Sequence, residues 1–217
     1  MFQATSEDPD GSLWVLTRSF EAPLCHVTDR AVKCFGKRDG IPISPIDSLL
    51  VDGGGGFWLG TQTALVHWHA GVSETYRIAG AKPMGIGIQA LARGPDGSLW
   101  VGILGQGPGL GLTRFKDGAL KTFVTPAFDG SKISVTGLMF DRDGSLWVGT
   151  DAKGLFRIAG NSVEHYGHTD GLSGDSVWAL FQDREGILWA GTTSGIDSFR
   201  DPRVATFSHS WKVYRQT

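Results

Sequence analysis

The chain has 217 residues, 41% of them hydrophobic, and its 20 basic and 22 acidic side chains give a formal net charge of -2. That length and apolar content suffice to bury one domain-sized core and exclude a disordered chain. The charges are scattered and no apolar run approaches the roughly 18 residues needed to cross a bilayer, so neither a nucleic-acid partner nor membrane contact is expected, and MFQATSEDPD shows no secretory leader. The 32 Gly and 8 Trp residues point to many tight turns and to large flat side chains at regular positions, which favours an all-β chain.

One phrase recurs along the chain: DGSLWVLT from Asp10, DGGGGFWLGT from Asp52, PDGSLWVG from Pro95, DRDGSLWVGT from Asp141 and DREGILWAGT from Asp183. Its tryptophans, Trp14, Trp58, Trp100, Trp147 and Trp189, stand 44, 42, 47 and 42 residues apart, a period of propeller or helical-repeat architectures. Each unit divides into four short segments rich in β-branched and aromatic residues, in the fourth unit VTGLMFD, SLWVGT, GLFRI and VEHYG, and none has a helical apolar period. The expected fold is therefore an all-β propeller of about five four-stranded antiparallel blades, over residues 1–44, 45–86, 87–133, 134–174 and 175–210 of one domain, with a tail 211–217.

The first segment of each unit carries an apolar residue (Phe2, Ile46, Ile88, Val135, Val177) and, two positions on, a small one (Ala4, Ser48, Ala90, Gly137, Ala179). Crowding at the innermost strand of a blade requires this. On the opposite face Thr5, Leu49, Leu91, Leu138 and Leu180 are mostly apolar, as expected of blades sandwiched between others. Between first and second strands, Gly144 supplies the positive φ of a tight hairpin and an Asp bonds its own backbone; the acid six before the Trp is Asp8, Asp52, Asp141 and Asp183, with Gly94 in the third unit. The glycines two beyond the Trp, Gly60, Gly102, Gly149 and Gly191, with Leu16 as the exception, are expected to turn the chain sharply out of the strand.

In the first unit, CHVTDRAVKC allows a two-residue turn at Asp29 and Arg30 that places Cys25 opposite Cys34 at a non-hydrogen-bonded pair, where a disulfide is geometrically feasible. Two free thiols in the core remain the alternative, because Asp-Arg is not a preferred turn pair.

The stretches DGLSGDSVWALFQDREGILWAGTTSGIDSFR, from Asp170, and VTGLMFDRDGSLWVGTDAKGLFRI, from Val135, resemble the two-component regulator propeller repeat of bacterial hybrid sensor proteins. The resemblance extends over nearly the whole chain and is weakest in the first unit. It implies an extracytoplasmic, periplasmic sensor region whose parent protein supplies the kinase portion, since the chain has no phosphoacceptor or ATP-binding motif. Family propellers usually have seven blades, so five units imply either a closed five-bladed ring or a partial arc of a larger one. The arc is favoured because neither end completes a blade begun at the other, and an open arc would expose apolar faces and self-associate.

Candidate ligand residues follow from where the loops gather. Eleven before each Trp stand Gln3, Asp47, Gln89, Thr136 and Trp178, near the expected channel mouth, where four polar side chains and one ring suit a small polar ligand such as an oligosaccharide. The loops TDAKG and GLSGD add Asp151, Lys153 and Asp175, beside TTSG, TQTA and GIPISPID. Interblade packing is the alternative role for Trp178. His67 and His69 of HWH share a strand face, a spacing zinc can use, but no third ligand is evident and exposed outer-strand positions explain them better; His165 and His168 are similar, with His168 placed to face the ligand side. No cofactor and no metal are expected. The repeats are also similar to those of streptogramin lyases, whose catalytic residues have no matching positions here. They differ from sialidase Asp-boxes, because Asp141 and Gly144 stand three apart rather than two, and no pair of carboxylates marks glycoside cleavage. A non-catalytic binding module is expected, with a propeller enzyme or a protein-interaction scaffold as alternatives.

Overall fold

The computed structural model describes residues 5–7, 10–17, 19, 21–41, 45–80, 87–200 and 203–208, and only the backbone over 5–7 and 203–208. Phe2, Gln3, Ala4 and Asp8, residues 42–44 of GIPISPID and the tail 211–217 lie outside the described residues. The chain forms two compact units, Met1–Val135 and Thr136–Thr217.

The first unit holds three four-stranded antiparallel sheets. They comprise β1 (Thr5–Glu7), β2 (Leu13–Leu16), β3 (Leu24–Val27) and β4 (Val32–Phe35); β5 (Ile46–Val51), β6 (Phe57–Thr61), β7 (Ala64–His69) and β8 (Val72–Arg77); and β9 (Ile88–Arg93), β10 (Leu99–Ile103), β11 (Leu112–Lys116) and β12 (Ala119–Thr122). A small hairpin, β13 (Val124–Thr125) with β14 (Phe128–Asp129), occupies the extra residues of the longest repeat interval, an element the sequence pattern did not suggest. The second unit holds two more sheets, β15 (Val135–Phe140), β16 (Leu146–Thr150), β17 (Leu155–Ala159) and β18 (Ser162–Tyr166), then β19 (Val177–Gln182), β20 (Leu188–Thr192), β21 (Gly195–Arg200) and β22 (Arg203–Ser208). In every sheet the strands lie in chain order, the meander of a propeller blade.

Two-residue alternation gives each blade two apolar faces. One carries the repeated Trp, and where consecutive blades touch within a unit it is this Trp face that packs on the next blade. Trp14, Leu16 and Leu24 of the first blade meet Ile46, Phe57 and Leu59 of the second. Trp58 and Leu65 then meet Ile88, Leu99 and Val101 of the third. In the second unit Trp147 and Leu155 meet Val177, Leu188 and Ala190.

Asp141 shows why the phrase has its form. Its Oδ1 accepts the backbone N–H groups of Asp143 (3.0 Å) and Ser145 (2.8 Å), and Gly144, at φ 81°, closes the turn by donating to the Asp141 carbonyl. Its Oδ2 accepts the buried indole N–H of Trp147 at 2.8 Å, so one carboxylate both shapes the hairpin and satisfies the donor beside it. Asp183 and Trp189 repeat the bond at 2.8 Å, and the indole N–H holds the Asp183 carboxyl below its ordinary range. The third blade has Gly94 at that position, and Ser98 Oγ accepts the Trp100 indole at 3.0 Å instead.

The residue directly across from each Trp is His26, His67, Arg114, Arg157 or Ser198. His26 and His67 stack on Trp14 and Trp58 at 4.3 and 4.2 Å, and Arg114 and Arg157 lie 5.5 Å from the ring centroids of Trp100 and Trp147. His67 is therefore not an exposed outer-strand residue: it sits half-buried on β7, third of four strands, with Nε2 2.7 Å from Asp52 Oδ2.

Two further sequence expectations change or resolve. Gly60, Gly102, Gly149 and Gly191 lie inside strands without positive φ and do not turn the chain. At Gly60 and Gly149 they admit the neighbouring blade: a Cβ on Gly60 would overlap Ile88, and one on Gly149 would lie 3.1 Å from Val177. Cys25 and Cys34 are cross-strand partners and form a disulfide, with Thr28 N–H donating to Ala31 O across the expected two-residue turn.

Candidate functional site

In the second unit the loop after β16 and the linker after β18 border an open surface pocket of about 380 Å³. Lys153, Phe156, His165, His168, Thr169 and Asp175 line it. The loop 151–154 is fixed from several sides. Thr150 Oγ1 accepts from Lys153 N at 2.9 Å and donates to Gly154 O at 2.7 Å, and Gly154, at φ 66°, donates its N–H to Asp175 O at 2.8 Å. His165 Nε2 donates to the Lys153 carbonyl at 2.8 Å, with its ring tilted against Phe156 at 4.7 Å.

The linker is equally determined. Gly167 N–H donates to Asp170 Oδ2 and His168 N–H to Asp175 Oδ1, at 2.9 and 2.7 Å. His168 Nδ1 donates to Leu172 O at 3.0 Å, an assignment that leaves Nε2 as the ring's other polar atom. Beneath it the wholly buried carboxylate of Asp197 on β21 accepts Ser173 N–H at 3.1 and 3.0 Å and Ser173 Oγ–H at 2.7 Å. The pocket is preorganised by bonds among its own lining residues, which use His165 Nε2, His168 Nδ1 and Asp175 Oδ1 and leave the Lys153 ammonium outside this network.

Of the residues singled out from sequence, Lys153 and Asp175 line this pocket, whereas Asp151 does not, its carbonyl accepting the Ser176 hydroxyl. Trp178, three residues beyond Asp175, is about half exposed and is the extra residue of a β-bulge, skipped between the pairs Val177↔Thr192 and Ala179↔Gly191. Asp47 and Gln89 occupy the same skipped position in their own blades. A bulge takes a side chain out of the ladder and re-aims it, so the position eleven before the Trp is specialised in three blades. Asp47 Oδ2 and Gln89 Nε2 both border Gly87, where a Cβ would come within 2.9 and 3.4 Å of them. Thr136 behaves differently: it is buried and its hydroxyl donates to the Val177 carbonyl of the next blade, just as Ser48 does to Ile88 O.

Burial pushes the Asp47 carboxyl above its ordinary range. The folded state then holds the proton more tightly than the unfolded chain, so stability is lost as pH rises through the raised value and the penalty is absent below the ordinary carboxylate range. Asp47→Asn is expected to raise the melting temperature at neutral pH and to leave it unchanged at acid pH. An Asp47→Asn melt matching wild type at both pH values would show that burial there carries no cost.

Sequence reasoning missed Asp197 and the repeated Thr. A charged residue stands on β21 at the place of Cys25, Val66, Thr113 and Phe156, and that contrast was the available signal. Thr61, Thr150 and Thr192, three beyond the Trp, each clamp the following loop through Oγ1. A second cavity of about 360 Å³ in this unit is lined by Asp141, Arg157, Glu164 and Tyr166, whose charged groups engage one another, the Tyr166 hydroxyl and Trp147. Ser12, His26 and Asp10 do not form a nucleophile triad, because Ser12 Oγ–H donates to Asp10 at 2.7 Å and is not offered to the His26 nitrogen 2.8 Å away. Among the described residues no three His, Cys, Asp or Glu side chains gather to hold a metal.

Five four-stranded meanders, each with its Trp-bearing second strand, make the chain a β-propeller protein. Residues 129–152 and 171–194 match the two component regulator propeller family model, and they contain the phrases at Asp141 and Asp183. Among solved structures, the virginiamycin B lyase of Staphylococcus aureus is similar over 95% of this chain and 69% of its own, at 14% identity and a TM-score of 0.73. The extracellular domain of a putative one component system from B. thetaiotaomicron is similar over 98% of this chain and 36% of its own, at 18% identity and 0.68. That of a putative hybrid two component system from the same organism gives 95%, 34%, 16% identity and 0.62. The chain thus spans about a third of these two sensor domains, and at such identities the likeness is one of fold. No curated protein sequence matches.

Proposed function

We propose that this propeller is a non-catalytic input module of an extracytoplasmic signalling protein and that it binds a small polar ligand, a glycan fragment, in the cavity beside Lys153 and Asp175. The observation that carries the reading is the convergence there of a cation, a carboxylate, two imidazoles, a hydroxyl and the Phe156 ring, on loops fixed from behind. Such a mixture supplies the hydrogen bonds and the apolar face that a sugar ring requires. Trp178, half exposed on the bulge three residues beyond Asp175, is the second candidate ring for stacking. The matched repeat and the sensor-domain fold support an input role, with the kinase portion supplied by a parent protein. The Cys25–Cys34 disulfide supports an oxidising, periplasmic location.

The test is calorimetric titration of the purified chain with a panel of defined oligosaccharides. Saturable binding is expected, weakened about tenfold or more, equivalent to about 1.4 kcal/mol, in Lys153→Ala, Asp175→Ala and Trp178→Ala. Binding indifferent to all three substitutions would place the ligand elsewhere, and metal-dependent turnover of a substrate would replace the reading with that of a propeller lyase.

A further inference from the structure

The hydrogen bonds that hold the pocket at Lys153 also fix what its two imidazoles can offer. His165 Nε2 lies 2.8 Å from the Lys153 carbonyl oxygen, and His168 Nδ1 lies 3.0 Å from that of Leu172. A carbonyl oxygen only accepts, so each of these nitrogens carries the proton, and in the neutral ring the other nitrogen is a bare lone pair. The atoms left over, His165 Nδ1 and His168 Nε2, are therefore both acceptors. Asp175 adds a third: its Oδ1 accepts the His168 N–H at 2.7 Å, and Oδ2 is the oxygen outside that bond. These groups gather around one glycine. A Cβ on Gly167 would lie 3.3 Å from Asp175 Oδ1, 3.4 Å from His165 Cε1 and 3.6 Å from Asp170 Oδ2, and glycine leaves that space unfilled.

An acceptor-rich pocket calls for a ligand that brings donors. The Lys153 cation stands beside the Asp175 carboxylate, so positive charge is not in surplus to hold a uronate or a sulfate, and a bare imidazole nitrogen repels an anionic oxygen. We infer that the glycan fragment proposed above is a neutral one, whose hydroxyl groups donate to His165 Nδ1, His168 Nε2 and Asp175 Oδ2, and that it is released when the two imidazoles take up protons. Protonation turns each bare nitrogen into an N–H donor, and histidine is the side chain that changes charge between about pH 5 and 8. The other charged groups packed around the two rings are Lys153 and Asp151 of the loop after β16, and Asp170, Asp175 and Asp197 on the linker side. Asp151 is turned to Ser176, Asp170 to the Gly167 N–H and Asp197 to Ser173, while Glu164, beside His165 on β18, bonds Tyr166 and Arg157. The inference rests on the ligand reading for its site and adds the chemical class and the response to pH.

Two measurements test it and keep its failure apart from that of the ligand reading. The first needs no sugar: nitrogen NMR of the free protein at about pH 7.5 should show the neutral His165 ring protonated on Nε2 and the neutral His168 ring on Nδ1. The second is calorimetric titration with neutral disaccharides (cellobiose, lactose and maltose) and with digalacturonate, at about pH 7.5 and about pH 5. A neutral disaccharide should bind at least about tenfold more tightly than digalacturonate at the higher pH and weaken about tenfold or more at the lower. His165→Gln with His168→Asn keeps both N–H donors and removes both lone pairs, so this variant should bind at about pH 7.5 no better than wild type does at about pH 5. Circular dichroism checks its folding, and His168→Asn alone replaces it if the double variant does not fold. Tighter binding of digalacturonate at about pH 7.5 overturns the inference and leaves the ligand reading standing, as do the opposite tautomers or a neutral disaccharide bound equally at both pH values. No binding by any of these sugars overturns both.

Discussion

Replacing Trp147 with alanine is expected to destabilise the protein by about 4 kcal/mol, the range for emptying a buried aromatic site. The ring fills the wedge between the two blades of the second unit, 5.4 Å from Phe199 and 6.0 Å from Tyr166, and carries Arg157 over its face. Its loss also removes the N–H that Asp141 Oδ2 accepts, so the carboxylate that shapes the hairpin loses a partner. Trp147→Phe separates the terms: it keeps most of the apolar volume and gives up the hydrogen bond, for an expected cost of about 1–2 kcal/mol. Urea denaturation with an unchanged m-value is the measurement. A Trp147→Ala midpoint equal to wild type would mean that the repeated ring is not what holds the blades together.

Asp197→Ala is expected to cost about 3 kcal/mol and, together with that, to abolish the oligosaccharide binding proposed above. The three hydrogen bonds it removes all come from Ser173, whose half-buried N–H would lose its acceptor while its hydroxyl keeps only Thr192 Oγ1, 2.7 Å away. Ser173 anchors the linker that presents His168 and Asp175, so the cavity loses its shape as well as its support. Hydrogen exchange distinguishes this from global loss: residues 171–176 should exchange faster in Asp197→Ala even where the strands stay protected. Asp197→Asn retains an acceptor oxygen and should lose less than half as much stability. Wild-type exchange across 171–176 in the alanine variant would remove Asp197 from any positioning role.

The fold was legible because what defines a blade is local. Alternation of apolar side chains, the Asp–Gly turn and the Trp spacing each act over a few residues, and five repetitions made the pattern unmistakable. The cystine was half legible: the register of CHVTDRAVKC placed the sulfurs together, but the poor turn pair at Asp29 and Arg30 left the choice open. The glycines after the Trp were misread, since Gly is required both where the chain turns and where another backbone approaches, and only the neighbouring blade shows which.

For the site, the sequence by itself determined which loops carry the polar residues, and so brought Lys153 and Asp175 to notice. Tertiary structure decided the rest. It directed the Thr136 hydroxyl to a carbonyl of the next blade, put Asp47, Gln89 and Trp178 on bulges, and set Asp197 beneath the linker. The physical reason is common to all of these: a residue's type fixes what it can bond and which face of its strand it occupies, but whether it meets a partner, a ligand or water depends on elements distant in the chain, which no local pattern encodes.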